Sequence, residues 1–278
     1  MFSFKSVKTT AVAGVLVLGS AVGFSTDANA ASANALASID WGSFTITPIG
    51  AGMEVVFGLQ SDTSVASAAS NGVDPLVTAG PNTTFNWDDT SFASAETGAA
   101  HYNGSSTAQT PGFNEVLTGA FQSESHAFAD RPGWTVNVGS TATRSLDFSV
   151  TGSGLVVFSV DYTLFVEAGD GGTSVADDTA SAAARVTALL RNLTNNATPI
   201  GTSTANISAS FDTLALGSSS GAGSTLAVVM FFSDGDTGHL DISADSSAAT
   251  SSPAAVPLPP AGWLLGASLV MLARRRRV

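Results

Sequence analysis

The residues that could give this 278-residue chain chemistry are its serines, histidines and carboxylates, and their spacing speaks against each in turn. Cysteine is absent, which excludes disulfides, thiolate-bound zinc, iron–sulfur clusters and thiol catalysis. Gly217-Ser218-Ser219-Ser220-Gly221 matches G-x-S-x-G, but a nucleophile elbow holds its serine on a strand-to-helix turn. Here the flanking glycines and serines predict a loop between two strands. His101, His126 and His239 show no H-E-x-x-H or other ligand spacing and read as surface or loop residues. Gly221-Ala222-Gly223 runs on to Leu226 where a dinucleotide fingerprint needs a third glycine.

Carboxylates are plentiful, yet no local motif selects the pair that a secreted glycoside hydrolase would need. Asp234, Asp236 and Asp241, set around Gly235 and Gly238, resemble half of a calcium loop, since hard cations prefer clustered oxygens. His239 occupies the position where an EF-hand requires glycine, so a hairpin turn is favoured and calcium is carried only as a weak candidate. Asp170, Asp177 and Asp178 form a second acidic loop with the same reading. Trp41, Trp87, Trp134 and Tyr102 could stack on sugars if exposed, although a buried core is the commoner place for large aromatics. No catalytic residue is assigned, and the chain reads as non-enzymatic.

Charge is distributed in three unlike pieces. Both lysines, Lys5 and Lys8, lie at the start, and Arg274, Arg275, Arg276 and Arg277 form a terminal run. Between them, residues 31–255 hold 21 acidic side chains against Arg131, Arg144, Arg185 and Arg191, a lysine-free stretch near −17. Such a body repels anionic polymers, which argues against a nucleic-acid partner. No block of five like charges occurs, so the acidity reads as a solvated surface.

Each basic cluster flanks an apolar segment. Lys5 and Lys8 precede the apolar stretch Ala11 to Phe24, and Ala28-Asn29-Ala30 follows. Those are the n-region, h-region and A-x-A site of a secretory signal peptide covering 1–30, cleaved between Ala30 and Ala31; a short buried helix is the alternative. The expected partners are the Sec translocon and signal peptidase. At the other end, Val256, Pro257, Leu258, Pro259 and Pro260 lead into the apolar run 261–273, which contains Gly262, Trp263 and Gly266 and is closed by the four arginines. Thirteen helical residues reach only about 20 Å, short of the roughly 30 Å hydrocarbon core, but counting back through Val256 nearly closes the gap. The positive-inside rule keeps the arginines in the cytoplasm and the body outside. Gly262 and Gly266 form a G-x-x-x-G pair suited to helix packing.

A proline-bearing motif, one apolar segment and a terminal arginine cluster, on a chain with a signal peptide, resemble the PEP-CTERM class of bacterial sorting signals. Val256-Pro257-Leu258-Pro259 is similar to its VPLPA-CTERM variant, with Pro260 standing where that variant has alanine. The resemblance implies recognition by an exosortase in the inner membrane, removal of the tail, and delivery to the cell surface or an extracellular, exopolysaccharide-rich matrix. It covers about 23 residues and implies a route, with a plain tail anchor as the alternative.

Period-two alternation dominates the second half. Val156, Phe158, Val160, Tyr162, Leu164 and Val166 alternate with polar positions, as do Leu146, Phe148 and Val150. Further strands are predicted near Ala182–Leu190, Thr204–Asp212, Leu226–Phe232 and Leu240–Ala244, with turns at Gly152-Ser153-Gly154, Asp170-Gly171-Gly172, Asn195-Asn196, Gly217–Gly223 and Asp234-Gly235-Asp236. Ala182–Arg191 could also be an amphipathic helix, but Ala184, Val186, Ala188 and Leu190 favour strand. In the first half, Ser43–Ile49, Met53–Leu59 and Trp134–Val138 read as strands, residues 61–111 as long loops with short strands, and Phe113, Val116, Leu117, Ala120 and Phe121 as a helix weakened by Gly119. The expectation is an all-β, jelly-roll-like antiparallel sandwich over 31–245, loop-rich in 31–140 and regular in 141–245. A Ser/Ala linker over 246–255 would join it to the sorting tail 256–278.

Overall fold

The computed structural model describes residues 31–252 apart from 72–75, 86–89, 100–101, 111–120, 131–132, 171–177, 195–199 and 213–216. Twelve strands follow one another: β1 (Ala31–Ile49), β2 (Glu54–Ser70), β3 (Val77–Thr84), β4 (Ser91–Ala99), β5 (Tyr102–Thr110), β6 (Phe121–Ala129), β7 (Trp134–Thr151), β8 (Gly154–Asp170), β9 (Thr179–Asn192), β10 (Ile200–Asp212), β11 (Ser218–Phe232) and β12 (Thr237–Ser252). They form two six-stranded antiparallel sheets facing each other, ordered β11-β8-β1-β6-β5-β4 and β10-β9-β12-β7-β2-β3. The all-β antiparallel sandwich expected from alternation is the observed architecture.

Alternation explains how each strand is held. On β8 the even residues Val156, Phe158, Val160, Leu164 and Val166 are buried between the sheets, while Leu155, Phe165 and Glu167 point outward. The same rule operates on β1, where Ala31, Ala33, Ala35 and Ala37 face inward and Ser32, Asn34, Leu36 and Ser38 lie half-buried on the other face. Ala182–Leu190 is strand, as preferred, within β9.

Several boundaries differ from expectation, for one physical reason. Residues 246–252, expected as a flexible linker, are the second half of β12, paired with β7 on one side and β9 on the other. Ser246, Ala248, Thr250 and Ser252 alternate inward. Residues 61–111, expected as long loops with short strands, are largely β2 to β5, and residues 218–223, expected as part of a turn, open β11. Apart from Asp62 and Tyr102, the buried residues of 61–111 and 246–252 are alanine, serine, threonine and glycine, and 218–223 is mostly exposed, so period two is present in the backbone with little contrast in hydropathy. The helix expected across Phe113–Ala120 lies outside the described residues, and Phe121 begins β6.

The strand ends define two poles. Ala31 pairs with Ala129 and Asp170, while Ser252 pairs with Trp134, and the Gly133 amide donates to the Ser252 carbonyl. The start of β1 and the end of β12 therefore leave the same pole, beside the β6–β7 connection. The other pole carries the β1–β2, β7–β8 and β11–β12 turns, where Gly52, Gly152 and Gly235 adopt φ of 68°, 74° and 81°. Among the described residues no helix is long and apolar enough to cross a membrane. The predicted signal peptide and the segment 261–273 lie outside them.

Candidate functional site

Charged side chains gather on the outer face of the second sheet, where β7, β12 and β9 run side by side. His239 on β12 pairs in register with Asp147 on β7 and Arg191 on β9, and the next row outward-facing is Ser145–Asp241–Leu189. Residues two apart on a strand share a face, so Asp241 falls beside His239. His239 Nδ1 meets Asp147 Oδ1 at 2.5 Å and Nε2 meets Asp241 Oδ1 at 2.8 Å, while the Ser145 hydroxyl donates to Asp241 Oδ1 at 2.6 Å.

The bond to Asp241 above all, supported by Asp147, pushes the His239 imidazole up to about 9. Against a desolvation penalty that raises it, bonds from His239 and Ser145 hold the Asp241 carboxyl below the usual carboxylate range. An imidazolium donating from both nitrogens has no lone pair with which to take a proton, and Ser145 donates to a carboxylate rather than to the ring. The cluster therefore ties β12 to β7 rather than forming a base and nucleophile. The reading of the histidines anticipated a surface residue but missed its partners. The His239/Asp241 pairing was available from their two-residue spacing, whereas Asp147 depends on cross-strand register.

The calcium candidates do not converge. Asp234 Oδ1 accepts the Gly152 amide at 2.7 Å, and Asp236 Oδ2 accepts the Ser233 amide and the Asn192 side-chain amide, each at 2.8 Å. Both serve the β11–β12 turn, in which the Asp236 amide donates to the Ser233 carbonyl at 3.0 Å. Asp241 is engaged by His239 and Ser145 on the sheet face. Asp234 and Asp236 belong to a hairpin turn and Asp241 to the sheet face, and among the described residues no group of three potential ligands is placed to hold a metal ion. In the second acidic loop, Asp170 ends β8, Asp178 is buried, and Asp177 lies outside the described residues.

Ser219 sits on β11 opposite Glu167, exposed on a strand rather than on a turn into a helix. His126 is half-buried on β6, beside a shallow hollow lined by Glu96, Asn103 and Ser105; His101 lies outside the described residues. Of the aromatics proposed as sugar platforms, Trp41 and Tyr102 are interior. Trp41 stacks on Phe44 at 4.3 Å, and Tyr102 stacks on Trp134 at 4.4 Å. Trp41 and Tyr102 are buried and Trp134 is half-buried, while Trp87 is outside the described residues.

One charged pair lies inside rather than on the solvated acidic surface. Arg144 on β7 faces inward and binds Asp62 of β2 through two bonds, Nε to Oδ1 at 2.8 Å and Nη2 to Oδ2 at 2.6 Å, with its guanidinium 4.5 Å from the Trp41 ring. Both side chains are essentially inaccessible, at 1% and 0%. Burial pushes the Asp62 carboxyl up, and the Arg144 bonds pull against that push.

Ala28 and Ala30 of the predicted signal-cleavage site lie outside the described residues; Ala31 is buried at the start of β1. Val256, Pro257, Leu258 and Pro259, together with Gly262, Trp263, Gly266 and the four terminal arginines, are also outside. No protein-family model, curated protein or solved structure matches the chain.

Proposed function

We propose that this chain is an exported, non-enzymatic protein of the cell surface or extracellular matrix, delivered by an N-terminal signal helix and a C-terminal transmembrane sorting helix, and serving there as structural or adhesive material. The observation that carries the reading is the ordered set of terminal features. Lys5, Lys8, the apolar stretch and Ala28-Asn29-Ala30 stand at one end; Val256-Pro257-Leu258-Pro259, the apolar run and four arginines stand at the other. The partners are the Sec translocon, signal peptidase and an exosortase-type membrane protease, and the inner membrane holds the protein only transiently.

The described fold supports this route in one respect. β1 begins at Ala31, on the mature side of the signal-peptidase site, and β12 ends at Ser252, ahead of Val256. Both cuts leave every described strand whole. Connections that pass repeatedly between the sheets are in keeping with a jelly-roll-like body.

Intact mass and location, measured in cells with and without the sorting protease, test the proposal. The expected product begins at Ala31, has lost the segment beyond the proline motif, and lies outside the inner membrane. Full-length chain with its tail in the cytoplasm of both strains overturns it.

A further inference from the structure

The outer face of the second sheet carries a trough that none of the features above uses. Its main hollow, of about 610 Å³, lies where two neighbouring rows cross five strands. One row reads Asn206, Arg185, Asp245, Thr141, Val65, and the next reads Ser208, Ala183, Ser247, Gly139, Ser67. Hollows of about 520 and 370 Å³ adjoin it and continue along β12 past Ala249 to Ser251. The six residue-to-residue steps from Asp245 to Ser251 give the trough a length of about 20 Å. Gly139, Ala183 and Ser247, all small, line the middle of the main hollow, with β2 and β10 residues on its two sides.

We infer that this trough binds an extended stretch of a neutral polysaccharide. Charge makes the first selection. The body is near −17 and lysine-free, which opposes anionic polymers, while the charged side chains lining the main hollow are Arg185 and Asp245, paired at 3.1 Å. Hydrogen-bonding capacity makes the second. Serine and threonine hydroxyls and the Asn137 and Asn206 amides both donate and accept, as sugar hydroxyls do. Arg185, 57% exposed, only donates, and Asp245, which already accepts the Thr141 hydroxyl at 2.8 Å, only accepts. A donor and an acceptor side by side suit the two hydroxyls of a vicinal diol.

An extended polypeptide fits less well. Strand addition requires an unpaired sheet edge, and the central strands β7, β12 and β9 have neighbours on both sides. No aromatic ring lines the hollows, so affinity is spread over many exchanged hydrogen bonds, each small in net terms. The ligand is thus a polymer spanning several sugars, and free monosaccharide is a poor competitor.

This inference rests on the export reading only for where polymer and protein meet, and its test uses purified protein, so failure of binding and failure of export are read separately. Full-length chain in mild detergent is assayed against immobilised β-glucan, galactomannan and xylan, with alginate as the anionic contrast. Arg185→Ala and Ala183→Trp are compared with Thr163→Ala on the opposite sheet, each first checked for an unchanged melting temperature. Binding to a neutral polymer, weakened about tenfold or more by either trough substitution and untouched by Thr163→Ala, is expected. Silence on all three neutral polymers, preference for alginate, capture of extended peptide instead, or equal binding by a folded trough variant each overturns the inference.

Discussion

Two ends of one sandwich interior are built from different residues. Toward the pole of the turns, Phe148, Phe158 and Phe232 pack ring to ring at 5.2 and 5.3 Å, with Leu240, Ile242 and Val150 around them. Toward the pole where β1 starts and β12 ends, the inward residues are mainly alanine and serine, and hydroxyls bridge the sheets directly. Ser246 on β12 meets Ser123 and Ser125 on β6, each at 2.8 Å, and Ser106 of β5 donates to the Ser67 carbonyl of β2 at 2.9 Å. A serine side chain is short, so the sheets there lie closer than the about 10 Å of ordinary stacked sheets. Gly104 agrees, since a Cβ on it would sit 2.5 Å from a Val136 methyl carbon. The row Asp62–Arg144–Ile242 marks the change, with Arg144 lying against Trp41. The lesson is that one end gains stability from apolar area and the other from close approach, so opposite kinds of substitution should damage them.

The largest loss is expected at the aromatic end. Phe148→Ala leaves a cavity among packed rings and should cost about 3–5 kcal/mol in denaturant unfolding; a loss below about 1 kcal/mol would mean that this end collapses freely. At the boundary, Arg144→Leu strands the Asp62 carboxylate and should cost a similar about 3–5 kcal/mol, while the double variant Asp62→Leu/Arg144→Leu should recover much of that. No recovery would show that Arg144 acts through its contact with Trp41 rather than through charge. In the thin end, Ala35→Leu should destabilise by about 1–3 kcal/mol through overpacking, although it adds apolar area. A more stable Ala35→Leu protein would break the comparison outright. Ser123→Ala, which removes one bridging hydroxyl, should cost about 1 kcal/mol.

The smallest effect belongs to the surface and depends on pH. His239 is raised from 6.5 to about 9 in the fold, so its contribution is fully present below pH 6.5 and is lost as pH rises through 9. Melting temperatures recorded from pH 6 to 10 should fall more steeply for the wild type than for His239→Gln, and parallel curves would show that the cluster adds nothing.

How far the fold could be read in sequence follows the same division. Val156–Val166 and Leu146–Val150 announce strands because large hydrophobes alternate with polar residues. Ala31–Ser38 alternates just as strictly, but alanine and serine differ too little in hydropathy to reveal which face is inside, and a stretch such as Ser246–Ser252 passes for a linker. Of the candidate sites, the Asp234/Asp236 turn was legible because the Asp-Gly-Asp signal is local, although its partners Gly152 and Asn192 are distant in the chain. The His239–Asp147 contact, the Arg144–Asp62 pair and the trough were not, since each depends on the register of strands far apart in the chain.

The position of β12 has a mechanical consequence. The strand lies inside its sheet, bonded to β7 along one side and β9 along the other, and its last residue, Ser252, lies at the pole where β1 starts. A pull on Ser252 along the strand axis loads both ladders in shear, so many hydrogen bonds must fail together. An edge strand pulled sideways would instead unzip one bond at a time. Whatever holds the chain beyond Ser252 therefore grips the molecule by one of its most firmly embedded strands.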